Sequence, residues 1–84
     1  MTMALYRVFL FATLRDLANT AAATVELPPA ATVGQLRAAL VQKYPALADY
    51  MPAAIVAVNH AFTTDDSPLT PDDEIAAFPP VSGG

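Results

Sequence analysis

Thr32 and Gln35 stand three residues apart at the head of an apolar series. That is the pattern of a capping box, in which each side chain satisfies a backbone N–H of the other residue. Val33, Leu36, Leu40 and Tyr44 then recur along one stripe until Pro45 stops the run, because the residue before a proline is pushed out of helical backbone. This is the best-marked helix in the chain, and a helix with a single apolar stripe must bury it against a second layer. With 84 residues there is room for one domain and one core, so the second layer has to come from the segments on either side.

Those segments read as strands. Leu5 to Phe11 is rich in branched and aromatic side chains, and alternation puts Val8 and Leu10 on one face with Arg7, Phe9 and Phe11 on the other. Leu14, Leu17 and Ala18 recur at helical spacing over a turn or two, and Asn19 suits a left-handed terminator. Thr24-Val25-Glu26-Leu27 alternates and then meets Pro28-Pro29, which cannot continue a paired ladder, so a second short strand forms a hairpin-like unit with the first. Ile55-Val56-Ala57-Val58 is long enough for a buried strand and too short for a helix, and Asn59-His60 supplies turn chemistry before a short strand at Ala61-Phe62-Thr63. After the turn signal Pro71-Asp72-Asp73, the run Glu74 to Phe78 alternates, with Ile75 and Ala77 opposed to Glu74, Ala76 and Phe78. The order predicts an α+β fold in which one sheet face packs on the stripe of Leu36 and Leu40. The opposite face is then largely uncovered and carries Phe9, Phe11 and Phe78, with Phe62 near its edge; contiguous exposed aromatics mark an interaction patch.

Composition points the same way. Hydrophobic residues make up 55% of the chain and charged ones only 14%, more apolar surface than a domain this small hides, which suggests a protein partner. The formal charge of -4, with Arg7, Arg15, Arg37 and Lys43 as the only cations, argues against nucleic acid and acidic membranes as ligands. The absence of cysteine removes disulfides, thiolate nucleophiles and cysteine metal sites. The apolar run Val8–Ala12 is too short for a signal sequence or a membrane span, so a cytoplasmic location is expected.

The domain is expected to occupy residues 1–78 and a flexible tail residues 79–84, because Pro79-Pro80-Val81-Ser82-Gly83-Gly84 can neither bury a core nor close a sheet. Held extended by its prolines, such a tail could reach on the order of 20 Å, enough to enter another protein's pocket. Two glycines in the last two places arise by chance in about one chain in two hundred, and the bland alternative is a frayed end. The chemical alternative is that glycines without Cβ let the backbone thread a narrow channel and leave a carboxylate open to attack. A carboxylate is a poor electrophile, but its mixed anhydride with AMP is attacked readily by a persulfide sulfur with loss of AMP, and cleavage of the resulting acyl disulfide by a thiol leaves a Gly84 thiocarboxylate. Such a carrier needs no acid, base or metal of its own, and the sequence contains no constellation of that kind.

Phe11-Ala12-Thr13-Leu14-Arg15-Asp16-Leu17-Ala18, Ala57-Val58-Asn59, Pro68-Leu69, Asp73-Glu74-Ile75 and the closing Phe78-Pro79-Pro80-Val81-Ser82-Gly83-Gly84 together resemble the MoaD-type small subunits of molybdopterin synthase, ubiquitin-like sulfur carriers of the MoaD/ThiS family. The resemblance covers nearly the whole chain, and the closing heptapeptide is its most specific part. It implies a β-grasp fold, a mixed sheet of about five strands on one main helix. It also implies that Gly84, with Gly83 as its required neighbour, is adenylated by a ubiquitin-activating-like adenylyltransferase that uses ATP, and is then thiolated. The tail, including Pro79, Pro80, Val81 and Ser82, would enter the large synthase subunit and give sulfur to a cyclic pyranopterin in molybdenum cofactor synthesis. Two carriers per dithiolene imply a heterotetramer. The family's partner-binding surface maps onto Phe11, Phe62 and Phe78, and no bound cofactor is implied. The chain departs from the pattern at Ala77, where some members carry a second aromatic, and at Tyr50-Met51-Pro52.

Other readings remain open: a thiamine-pathway carrier serving a thiazole synthase, a modifier joined to lysines through Gly84, and a plain interaction domain. His60 lies in a turn with no ligand partners and is expected to be a surface residue. Asp65-Asp66 and Asp72-Asp73-Glu74 lack the spacing of a calcium loop and are expected to be solvated turns. Arg15 and Arg37 are expected on helix surfaces, and Met3 and Met51 as core fillers.

Overall fold

In the computed structural model, residues 2–80 are described. They form strand β1 (Ala4–Leu10), helix α1 (Ala12–Ala18), β2 (Ala22–Leu27), helix α2 (Val33–Lys43), two 3-10 turns (Pro45–Leu47 and Met51–Ala53), β3 (Ile55–Val58), β4 (Ala61–Phe62) and β5 (Ile75–Phe78). The five strands make one mixed sheet in the order β2-β1-β5-β3-β4. β1 runs antiparallel to β2 but parallel to β5, so the first and last strands lie side by side at its centre. A mixed five-stranded sheet with helices on one face is the α+β architecture expected.

Alternation decides which face meets the helix. Tyr6, Val8 and Leu10 of β1, Ala23, Val25 and Leu27 of β2, Val56 of β3, and Ile75 and Ala77 of β5 are buried, and the pairings Tyr6 with Val25, Leu10 with Ala77 and Val56 with Ala77 put them on one face. Val33, Leu36 and Leu40 of α2 cover them, joined by Leu14, Leu47, Met51 and Leu69. At about 25 cal/mol per Å² of apolar area removed from water, each large side chain here contributes roughly 1.5–3 kcal/mol. Tyr6 is fully buried because its hydroxyl has a partner: it donates to the Pro28 carbonyl oxygen at 2.8 Å.

The capping box is made in both directions, with Gln35 N donating to Thr32 Oγ1 at 3.3 Å and Thr32 N to Gln35 Oε1 at 2.9 Å. The next two donors of α2 are taken by a distant loop, Val33 N by the Ser67 carbonyl and Gly34 N by that of Asp65, each at 3.0 Å. Asn19 ends α1 in left-handed backbone (φ 58°, ψ 34°), as expected.

Three expectations are corrected. Phe11 is not part of β1 but the residue that precedes α1, because Ala12 turns the chain with a φ of 52°. Arg37 is not a surface side chain: it is 16% exposed, and donates from Nε to Asp65 Oδ1 at 2.8 Å and from one terminal nitrogen to the carbonyls of Met51 and Ala54 at 2.6 and 2.7 Å. Met3 is exposed, whereas Met51 fills the core as expected. No helix among the described residues is long and apolar enough to cross a membrane.

Candidate functional site

Helices cover one face of the sheet, and the other carries a row of apolar side chains that the alternation of the strands leaves outside. By register, Phe9 of β1 stands beside Ala76 of β5, Ala76 opposite Ala57 of β3, and Ala57 opposite Phe62 of β4. The next row holds Phe78 opposite Ile55. Small residues in the middle strands flanked by phenylalanines make a shallow apolar surface whose rim is aromatic.

Phe11 and Phe78 meet, as their alternation requires. The extended backbone of Phe11 (φ -124°, ψ 152°) carries the parallel ladder one residue past β1, and its N–H donates to the Ala77 carbonyl at 3.2 Å. The two rings then stack, with centroids 4.7 Å apart and planes 11° from parallel. Such a pair contributes about 0.5–1.5 kcal/mol beyond area burial, comparable to the roughly 1–2 kcal/mol that left-handed backbone costs a non-glycine residue such as Ala12. Phe11 remains 42% exposed. Phe62, on the edge strand, is 82% exposed, an arrangement a side chain this apolar holds only at a cost unless something else covers it.

Pro79 and Pro80 continue directly from this patch, the first partly buried and the second exposed. Val81, Ser82, Gly83 and Gly84, on which the expected chemistry falls, lie outside the described residues.

The acidic turns are ordered by hydrogen bonds, which the solvated-turn expectation did not include. Asp73 Oδ2 accepts from Thr70 N at 2.8 Å and its Oδ1 from Asn59 Nδ2 at 3.0 Å, while Asn59 Oδ1 accepts from Glu74 N at 2.9 Å. The Thr70 backbone donor, helped by Asn59 and opposed by slight burial, holds the Asp73 carboxyl below its usual range. His60 is a surface residue as expected, 81% exposed at its side chain, with Nε2 2.8 Å from Glu74 Oε2. Asn59 and His60 both have positive φ (52° and 70°), the twist a two-residue hairpin between β3 and β4 needs. Among the described residues no three of His, Asp and Glu gather closely enough to hold a metal ion. A groove of about 410 Å³ lies between β2 and α2, lined by Leu5, Thr24, Val25, Glu26, Ala39, Gln42 and Lys43. It holds no convergent set of reactive groups.

Sequence reasoning reached the patch through period-two alternation, which also put Ala76 on the face of Phe78, but missed Ile55 and Ala57 as part of its floor. β3 reads as an unbroken apolar run, so only the pairing of β3 with β5 says which of its residues face which way.

Known proteins resemble the chain in sequence and in fold. The ThiS family matches residues 8–84. The chain is 39% identical over 80 residues to the molybdopterin synthase sulfur carrier subunit of Escherichia coli K12, covering 93% of this chain and 98% of that one. It is 35% identical over 78 residues to the protein of the same name in Arabidopsis thaliana, covering 93% and 81%. Among solved structures, SAMP1 from Haloferax volcanii superposes with a TM-score of 0.83 at 32% identity, covering 96% of this chain and all of that one; SAMP1 stands for small archaeal modifier protein 1.

Proposed function

The chain belongs to the ThiS family, and from that membership we propose that it is the sulfur carrier subunit of a molybdopterin synthase, working through the carboxylate of Gly84. The observation that carries this reading is the alignment of 93% of the chain, at 35% and 39% identity, with two proteins of that name. In this reading an ATP-dependent adenylyltransferase forms the acyl adenylate on Gly84. A sulfur nucleophile then displaces AMP to leave a thiocarboxylate, and the large synthase subunit accepts the tail and passes the sulfur to a pyranopterin. In this reading the chain needs no cofactor, acid or base of its own; its contribution is a reactive end and a surface that places it. Phe11, Phe62 and Phe78 are the docking contacts for both partners, and Pro79, Pro80, Val81 and Ser82 span the distance from that surface to the reacting carbonyl. Gly83 keeps the approach to Gly84 free of side chains. In this reading the chain works in the cytoplasm as part of a heterotetramer, and the acidic balance disfavours nucleic acid.

The test is removal of Gly84 followed by intact-mass measurement after incubation with the activating enzyme, ATP and a sulfur source. Full-length chain should exchange one oxygen for sulfur while the truncated chain keeps its mass and its melting temperature. A truncated protein that still gains sulfur overturns the assignment. A second reading, a protein modifier, is favoured by the likeness to SAMP1 at 32% identity over 96% of this chain. Gly84-dependent conjugate ladders on a denaturing gel would select it, and capture of a thiazole synthase would move the sulfur to the thiamine pathway.

A further inference from the structure

The ladder between β1 and β5 pairs Leu10 with Ala77 and is carried one step further by Phe11. At that step two things coincide. Ala12 bends the first segment out of the sheet with positive φ, and Phe78 is the final strand residue before Pro79. A proline fixes its own φ and restricts the residue ahead of it, so the direction in which the chain leaves the sheet depends on how Phe78 is held. Its ring is held by the Phe11 ring, stacked at 4.7 Å.

We propose that Phe11 is a positioning residue for sulfur transfer: the Phe11 ring, stacked on Phe78 and anchored by the Phe11 N–H to Ala77 and the bend at Ala12, sets the direction in which Pro79 and Pro80 carry the chain toward the partner's reaction centre. The inference rests on the sulfur-carrier reading and adds to docking a separate effect on rate. A side chain that only docks contributes equally to the ground and transition states of the bound complex, and its loss appears in affinity. A side chain that aims the reacting end contributes to the productive geometry, where misplacement by an ångström lowers the rate of the step. Planarity is the property that matters. A leucine at this position supplies comparable apolar contact to a partner but cannot stack on Phe78.

Phe11→Leu and Phe11→Tyr are compared with the parent in two measurements. On the isolated chain, three-bond scalar couplings report the χ1 rotamer of Phe78. On the thiocarboxylated chain bound to saturating large subunit, single-turnover sulfur release reports the rate, and titration gives the dissociation constant. Phe11→Leu is expected to average Phe78 over several rotamers and slow saturated release roughly tenfold, with a smaller change in dissociation constant. Phe11→Tyr, which keeps the ring, restores both. A Phe78 that keeps one rotamer in the Phe11→Leu chain, or a variant that loses affinity while its saturated rate is unchanged, overturns the proposal. If the parent chain itself releases no sulfur to the large subunit, the sulfur-carrier reading fails, and the couplings alone still decide whether Phe11 orients Phe78.

Discussion

Arg37 illustrates how a single side chain ties together elements far apart in sequence. It stands on α2, and its guanidinium joins Asp65 in one loop to the carbonyls of Met51 and Ala54 in another. The planar fork lets one terminal nitrogen serve two carbonyls while Nε faces a carboxylate, a geometry that a lysine cannot reproduce. The two ends of the ion pair differ in their access to water, since the Arg37 side chain is 16% exposed while that of Asp65 is 66% exposed. Screening therefore weakens the ion pair itself, and the bonds to the carbonyls carry most of the effect. Replacing Arg37 by Ala should cost about 2–3 kcal/mol, read as a lower urea midpoint with unchanged slope. Arg37→Lys should recover only part of it.

Among the elements, the turn before β5 has a strength that depends on pH. Asp73 accepts from Thr70 N and Asn59 Nδ2, and Asn59 in turn receives the Glu74 N–H, so one carboxylate joins the β3–β4 hairpin to the start of β5. Its pKa is lowered from 3.8 in the folded chain. The unfolded state therefore binds the proton more tightly, and the stabilisation is fully present above about pH 4 and is lost as pH falls through the folded value. Asp73→Asn should flatten that part of the stability profile below about pH 4 while costing less than roughly 1 kcal/mol at neutral pH. An acid-unfolding curve identical to that of the parent would refute the role of this carboxylate.

At the scale of the whole molecule, the sheet has two faces with different fates. One is filled by α2 and its neighbours; the other carries Phe11, Phe62 and Phe78, with no helix over them among the described residues. Because Phe62 is 82% exposed, truncating it removes little packing. Phe62→Ser should change unfolding stability by no more than about 0.5 kcal/mol, yet weaken capture of the large subunit by tenfold or more, as loss of a buried aromatic anchor does at an interface. Isothermal titration alongside thermal melting separates the two effects. A variant that binds as the parent does would remove Phe62 from the docking surface.

What the sequence determined by itself is the local and periodic part of this protein. The capping box at Thr32 and Gln35, the left-handed stop at Asn19 and the alternation in β1 and β5 act within a few residues, and neighbouring side chains suffice to specify them. Tertiary structure decided what depends on partners distant in the chain. The parallel pairing of β1 with β5 brought Phe11 against Phe78 and set Ala76 beside Phe9, and the antiparallel pairing of β3 with β5 added Ala57 to the floor between the phenylalanines. Arg37 looked like an ordinary surface charge because the carbonyls that hold it lie 14 or more residues away; Asp73 takes one bond from Thr70 N, three residues away, but the Asn59 amide that completes its set is 14 residues away. Periodicity assigns a side chain to a face, but only the closing of long loops brings the face a neighbour. That closure costs chain entropy and is selected by the summed burial of the core, which no local pattern contains.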